Sequence, residues 1–479
     1  MIAATNPKPE LASGKKPINA LGNQNFNWPL ANAAEKVVRD HLAFFLKQNS
    51  FARRLAGRMR EETGTDFFEW IDYLSVPEDC EPALLEAGFV RQSVSGPERA
   101  SVWEHPRATL PQVLQSAQPK PTRAVLSLRP ESIADFIACH HLGVEPDGEP
   151  FSRYRRAMVF EEKATRLEVV ERRAYRGFDC RPLKPDELRA TIKARELWRT
   201  RPRLFAEDPA GFAKAKQVLE QVLGLVDGDL ACHTFFEAER KHWEGRNRAG
   251  RLQKFRQDQL GLGWGNHDHH TFRCSREHFV DVIEFLLKLG FEKRERYYAG
   301  AEAGWGAQIL EQSPAGIVVF ADVDLMPDET QVDFSVMRLA PAPRLGTVGL
   351  WVALHGESFL EAGLHHLEAR FDFPLLREQL KSQGINTMKP FSDFEFLRQA
   401  FTEGELWPVR RQRVERLLKT GLVTREQFDK FVREGAIGSH LENLQRHGGF
   451  KGFNQKSVSV IISATDPRKQ HAEHSAIAA

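Results

Sequence analysis

Cysteine is scarce in this chain. There are five in 479 residues, at positions 80, 139, 180, 232 and 274, with no Cys-x-x-Cys spacing among them. A disulfide framework and a zinc–thiolate centre are therefore not expected. A charge of one sign is lacking too: 67 Lys and Arg against 65 Asp and Glu leave a net charge of +2. That gives no global attraction to nucleic acid or an acidic membrane surface. Basic stretches such as Arg294-Glu295-Arg296 and Arg410-Arg411-Gln412-Arg413 are interleaved with acids and read as solvated helix faces. No window approaches 18 consecutive apolar residues, so no membrane-spanning helix is expected. The first residues lack an apolar signal core and predict a disordered lead-in. A chain that is 41% hydrophobic and 28% charged is that of an ordinary globular protein, with length for two to four domain-sized units. We expect it in reducing cytoplasm, without nucleic-acid or membrane partners.

What the chain does have is histidine in pattern. The run Asn266-His267-Asp268-His269-His270-Thr271-Phe272-Arg273 puts imidazoles beside a guanidinium. In a strand, alternate side chains share a face, so His267, His269, Thr271 and Arg273 point one way, and Cys274 points away from Arg273 into packing. Imidazole binds first-row transition metals, and a guanidinium grips a carboxylate through a two-bond fork. Alone, three histidines fit a solvated loop equally well. A second segment, Leu364-His365-His366-Leu367-Glu368-Ala369-Arg370, repeats the His-x-x-x-Arg spacing at His366 and Arg370. Each copy leads into an apolar helical pattern closed by a glycine, Gly290 in the first and Gly384 in the second. Two strand–helix units presenting a histidine at the same point are what a duplicated metal-binding barrel needs.

Two further units of the same order precede them. Strand-like Phe67 to Ser75 leads to helical 77–86 and Gly88, and strand-like 123–128 leads to helical 131–141 and Gly143; neither carries ligands at the matching strand positions. Internal duplication accounts for all four. Residues 31–62 and 184–258 carry helical periodicity. Strand-like runs follow at 307–311, 316–320 and 332–336; a helical stretch at 394–434 interrupts the fourth unit, which resumes as a strand at 456–462. The chain is thus expected to divide into a disordered lead-in with a helical arm (1–62), a ligandless module pair (63–183), a helical linker (184–262), a metal-binding module pair (263–466) and a disordered tail (467–479). The fold class is α+β, built from repeated strand–helix–strand modules that form barrels.

Asp268-His269-His270-Thr271-Phe272-Arg273 resembles the Asp-His-x-Ala-Phe-Arg signature of the 2-oxoadipate dioxygenase/decarboxylase family, whose fold is the vicinal-oxygen-chelate fold. Gly290-Phe291 followed by Tyr297-Tyr298 is similar to that family's helix-end glycine and tyrosine pair. His365-His366-Leu367-Glu368-Ala369-Arg370 is similar to its Asn-His-Leu-Thr-Pro-Arg motif. The resemblance spans roughly residues 200–465. It implies one non-haem Fe(2+) held by two histidines and a carboxylate, a 2-oxo acid and dioxygen as substrates, and 2-oxoadipate turned into 2-hydroxyglutarate and carbon dioxide. Carried over, His269 and His366 become metal ligands and Arg273 the carboxylate anchor. The family's late glutamate maps best to Glu442, with Glu311 and Glu395 as alternatives. Arg370 is a candidate for the distal carboxylate, or for a structural salt bridge. Phe272 and Trp305 are candidates for excluding water. A glyoxalase-like isomerase or lyase using another metal, or a small-molecule-binding protein of the same fold, remains the competing expectation.

Overall fold

The computed structural model describes residues 28–116, 123–299, 303–454 and 466–468, and all that follows concerns those residues. The lead-in over 1–27, the strand expected at 456–462 and the tail from 469 lie outside them.

The helical arm is two helices, Asn32–Gln48 and Ser50–Arg58, broken at Asn49. Asn49 is extended, and its side chain accepts a hydrogen bond from the Ala52 N–H, so it caps the second helix instead of continuing the first. A seven-stranded sheet follows: β1 (Ile71–Val76), β2 (Val90–Ser95), β3 (Ser101–Glu104), β4 (Gln112–Gln115), β5 (Ala124–Leu128), β6 (Tyr154–Glu162) and β7 (Thr165–Arg172). Its order is β2-β3-β4-β1-β5-β7-β6. β1 runs parallel to β4, β5 parallel to β7, and β1 antiparallel to β5. Each half is one strand, one short helix (Glu81–Glu86 or Ile133–Cys139), then antiparallel strands returning beside the first. The second half has one strand fewer.

The C-terminal sheet repeats this plan in full. Its strands are β8 (His267–Cys274), β9 (Glu292–Tyr298), β10 (Trp305–Gln312), β11 (Ile317–Asp324), β12 (His366–Arg370), β13 (Ser392–Phe394), β14 (Leu397–Phe401), β15 (Glu405–Trp407) and β16 (Ala436–Arg446). The order is β13-β14-β16-β12-β8-β11-β10-β9, with β15 on β16. β8 and β11 are parallel, as are β12 and β16, and the modules meet along antiparallel β8 and β12. The helices after β8 and β12, Phe279–Lys288 and Phe373–Ser382, stop before Gly290 and Gly384, whose φ of +83° and +69° is left-handed backbone that glycine adopts without strain.

Three expectations need correction. The run 332–336 is a turn, and the strand it stood for is β9, where Arg294-Glu295-Arg296 had suggested a helix face. Glu295 and Tyr297 of β9 point inward, and Glu295 is paired with Arg294 and accepts a hydrogen bond from the Trp28 indole N–H, so a buried charge hides the alternation. Residues 394–407 form β13–β15 instead of helix, and only Arg411–Lys419 and Arg425–Glu434 are helical. Phe67 to Trp70 coil as a short 3₁₀ turn before β1 starts.

The helices Pro185–Arg199, Asp208–Leu223, Gly228–Glu244 and Arg248–Asp258 do more than link. Trp198, Phe235, Phe236 and Trp243 share one core with Phe272, Phe285 and Leu367, covering the outer face of β8 and β12. That face is sealed by packing that is apolar but for His270, and the other face of the same strands carries His269, Thr271, Arg273 and His366 inward. Among the described residues, no helix is long and apolar enough to cross a membrane.

Candidate metal centre

Alternation on β8 separates two populations. His270 and Phe272 turn outward, His270 against Phe236 (ring centroids 4.9 Å) and Phe272 against Phe359 (5.8 Å). His269, Thr271 and Arg273 turn inward. Phe272 therefore excludes water from the outer core and does not line the site. Parallel pairing sets Val318 opposite His269 and Asp322 opposite Arg273, and antiparallel pairing sets His366 opposite Thr271. On β16, Glu442 lies opposite Glu368 and His440 opposite His366. The curved sheet thus brings together His269, His366 and Glu442, residues that are 97 and 76 positions apart.

All three are buried, and their ligand atoms lie within 4.8 Å of one another. Glu442 Oε2 is 3.0 Å from His366 Nε2 and 3.7 Å from His269 Nε2. Donors about 2.1 Å from a common ion sit roughly 3 Å apart when adjacent, so these spacings fit a metal between them. Burial and the neighbouring His269 hold His366 well below the usual imidazole pKa, which leaves a neutral ring able to ligate. Burial raises Glu442, and burial together with Glu442 raises Glu368 to about 8. Two buried carboxyls that resist joint ionisation are what a cation would relieve. Gln399 Nε2 donates to both, at 3.0 Å to Glu442 and 3.2 Å to Glu368.

Around His269 the polar groups are arranged to aim it. Its Nδ1 is 3.0 Å from Glu368 Oε2 and 3.6 Å from Asp268 Oδ1, leaving Nε2 toward Glu442. A carboxylate on the far nitrogen of a ligating histidine fixes its tautomer and orientation. Burial lowers the His269 pKa, but Glu368, Asp268 and Glu442 outweigh it and raise it to about 10. Asp268, His269 and Glu368 form a second possible trio of donors. Arg446 already occupies that neighbourhood, 3.0 Å from Asp268 and 3.4 Å from Glu368, and its fixed charge would repel an ion there. Among the described residues, the ion pairs of Glu442 are to His269 and His366, with no arginine or lysine at that distance.

Beside it lies a cavity of about 70 Å³ whose walls include Tyr297, Trp305, Phe320, Phe401, Asp322 and Arg273. The Arg273 guanidinium is buried, and its Nε and Nη1 have no hydrogen-bond partner among the described residues. Burial lowers its pKa to about 10 against the pull of Asp322, Asp324 and Asp466. Asp322 is raised by burial to about 7, Arg273 opposing.

The remaining candidates fall elsewhere. Arg370 lines a different cavity, pairing with Glu69 of the N-terminal half at 3.0 Å, so it is placed as a bridge between halves and not toward the His269 cavity. Glu311 on β10 pairs with Lys451 at 2.8 Å, and Glu395 is exposed in the β13–β14 turn. Trp305 does line the cavity. Glu368 was legible and overlooked, since it stands two residues after His366 on one strand face. Gln399 and Asp322 carried no local signal, because nothing in their segments says which face turns inward.

The N-terminal pair shows what became of the same positions there. Tyr73 on β1 is opposite Ser127 on β5, which is opposite Glu168 on β7, matching the β8–β12–β16 path. Tyr73 Oη donates to Glu168 at 2.5 Å. Tyrosine and serine thus stand near where the other pair has His269 and Glu368, and Val125 stands two residues before Ser127 as His366 does before Glu368.

No protein-family model matches the chain, and no curated protein matches it. Among solved structures, a triple mutant of 4-hydroxymandelate synthase from Streptomyces coelicolor is 15% identical over 84% of this chain and 99% of its own, with a TM-score of 0.28. Methylmalonyl-CoA epimerase from Mycobacterium tuberculosis is 13% identical over 38% of this chain and 88% of its own, with a TM-score of 0.22. A mutant of glyoxalase I from Zea mays is 19% identical over 22% and 43%, with a TM-score of 0.17. The strand order and pairing above are what define the architecture: the chain is an α+β protein built from strand–helix–strand modules, with the module pair present twice.

Proposed function

We propose that the C-terminal module pair is the active site of an Fe(2+)-dependent 2-oxo acid dioxygenase/decarboxylase, with His269, His366 and Glu442 as ligands. The observation that carries this reading is the buried two-histidine, one-carboxylate trio beside a small cavity into which a guanidinium with unused donors is built. Such a ligand set leaves adjacent positions open and is typical of non-haem iron oxygenases. When bound, iron(II) supplies those positions to a 2-oxo acid and dioxygen, and the electrons that start dioxygen reduction. Arg273 takes a substrate carboxylate by paired charge-assisted hydrogen bonds. Tyr297, Trp305, Phe320 and Phe401 keep water from the reacting carbon, and Glu368 with Asp268 keeps His269 oriented. The cavity volume suits a compact acid. With 2-oxoadipate the reaction takes up one dioxygen and yields 2-hydroxyglutarate and one carbon dioxide, which balances.

A second reading has one observation in its favour. Asp322 lines the cavity with a pKa of about 7, where a carboxyl can accept or give a proton, as a non-redox isomerase or lyase requires. One experiment separates the two: purified protein loaded with iron(II) anaerobically, then given a series of 2-oxo acids while oxygen and carbon dioxide are followed. Equimolar oxygen uptake and carbon dioxide release is expected. Turnover without oxygen selects the second reading, and absence of stoichiometric metal binding ends both.

A further inference from the structure

A second polar cavity, of about 190 Å³, lies between the two halves of the molecule and is independent of the iron reading. Its walls carry Arg129, Arg172, Arg176 and Arg370, against two carboxylates, Glu69 and Asp72. Arg370 meets Glu69 at 3.0 Å and Arg172 meets Asp72 at 2.8 Å, so the acids of the wall are used up and, with Arg176 paired as well, the charge of Arg129 remains in excess. Arg176 turns to Glu104, outside the cavity wall. Arg129 has no side-chain hydrogen bond or ion pair among the described residues; its nearest surroundings include Gly316, another wall residue, which has no side chain to crowd it.

Other donors here are unused as well. The Trp70 indole Nε1, in a residue 1% exposed, lacks a partner and lies beside Gly265, also in the wall. Arg370 Nε also makes no hydrogen bond, its nearest carboxylate being Asp268 at 4.0 Å. Buried donors are nearly always satisfied, so the partnerless Trp70 indole N–H in one wall with the unpaired Arg129 guanidinium calls for an acceptor that brings negative charge. Clefts between domains are common ligand sites. Burial lowers Arg129 to about 10, Asp72 opposing and the other three arginines adding to the fall.

We infer that this cavity binds a small dianion, a short dicarboxylate or a phosphate, with Arg129 as its principal contact and Trp70 Nε1 as a supporting donor. The site adjoins the candidate metal centre without sharing its ligands: Arg370 Nε is 4.0 Å from Asp268, which is 3.6 Å from His269.

The test is calorimetric titration and thermal-shift measurement on the full chain with glutarate and with inorganic phosphate, acetate serving as the monoanion. At least one dianion is expected to bind at one site per chain and to raise the melting temperature with concentration, far more tightly than acetate. Which of the two binds identifies the ligand class. Arg129→Gln, which breaks no contact seen here, is expected to weaken binding at least tenfold, and Trp70→Phe a few-fold, while Arg273→Lys leaves it unchanged. The inference is overturned if neither dianion binds, if Arg129→Gln binds as the parent does, or if binding is lost in Arg273→Lys instead.

Discussion

At the scale of single residues, the proposed roles separate cleanly by what each side chain touches. His269→Ala and His366→Ala each remove one of three donors, and both are expected to lose bound iron and turnover while keeping a cooperative fold; metal analysis with a melting curve checks this. Full metal content in either variant would sink the ligand assignment. Arg273→Lys keeps the charge near Asp322 and Asp324 but loses the planar fork. It is expected to retain metal and to lower kcat/KM for the 2-oxo acid by roughly 10- to 100-fold, the worth of a charge-assisted hydrogen bond or two.

Another residue-scale expectation concerns Glu357, which accepts the Ser275 N–H at 3.2 Å in a buried position. Burial raises its pKa from 4.5 to about 8, against the Ser275 hydrogen bonds. The folded state therefore holds a proton that the unfolded chain releases above 4.5. This contribution to stability is complete below pH 4.5, declines as pH rises, and is lost by about pH 8. Glu357→Gln cannot ionise, so its stability should fall less than the parent's between those limits. Denaturant midpoints measured across the range read the difference.

At the scale of elements, the helix Thr347–His355 shows how a segment can borrow its start from elsewhere. Its own N-terminal residue is Gly346, which has no capping side chain. Asp324, at the end of β11, accepts hydrogen bonds from the N–H groups of Gly346 (2.7 Å), Val348 (3.1 Å) and Gly349 (3.0 Å). One carboxylate thus satisfies three of the orphan donors every helix start presents. Asp324→Ala is expected to cost about 2 kcal/mol or more, whereas Asp324→Asn, which keeps an acceptor oxygen, recovers most of it. Equal midpoints in urea for the two variants would contradict the capping role.

At the scale of the whole molecule, the two halves are tied by buried polar contacts and by shared apolar residues. Leu260 and Leu262, which follow the last linker helix, belong to the N-terminal core. Gln253 Nε2 donates to Thr63 O at 2.8 Å, and Trp28 reaches Glu295 of β9 at 3.0 Å. Neither half keeps its contacts if the other unfolds. A single calorimetric transition is expected for the full chain, and a fragment beginning at residue 263 should be less stable and poorly soluble. Two resolved transitions would show the halves to be independent.

The sequence by itself determined the repeated order of strand, helix and glycine, because apolar period and left-handed glycine are local properties. It also marked His269, His366 and Arg273, since two histidines at one point of a repeated unit stand out without any knowledge of contacts. It did not reveal β9, where the charged Arg294-Glu295-Arg296 reads as helix surface until Glu295 is seen buried against Arg294 and hydrogen-bonded by Trp28. Nor did it decide among Glu442, Glu311 and Glu395: a glutamate has the same local signature on a surface and in a site. Only the pairing of β16 with β12 sets Glu442 opposite Glu368 and 3.0 Å from His366. The same holds for Arg370, whose spacing from His366 matches that of Arg273 from His269. Tertiary structure sends one guanidinium into the cavity beside His269 and the other to Glu69, because which neighbour lies across a strand is fixed by chain segments tens to hundreds of residues away.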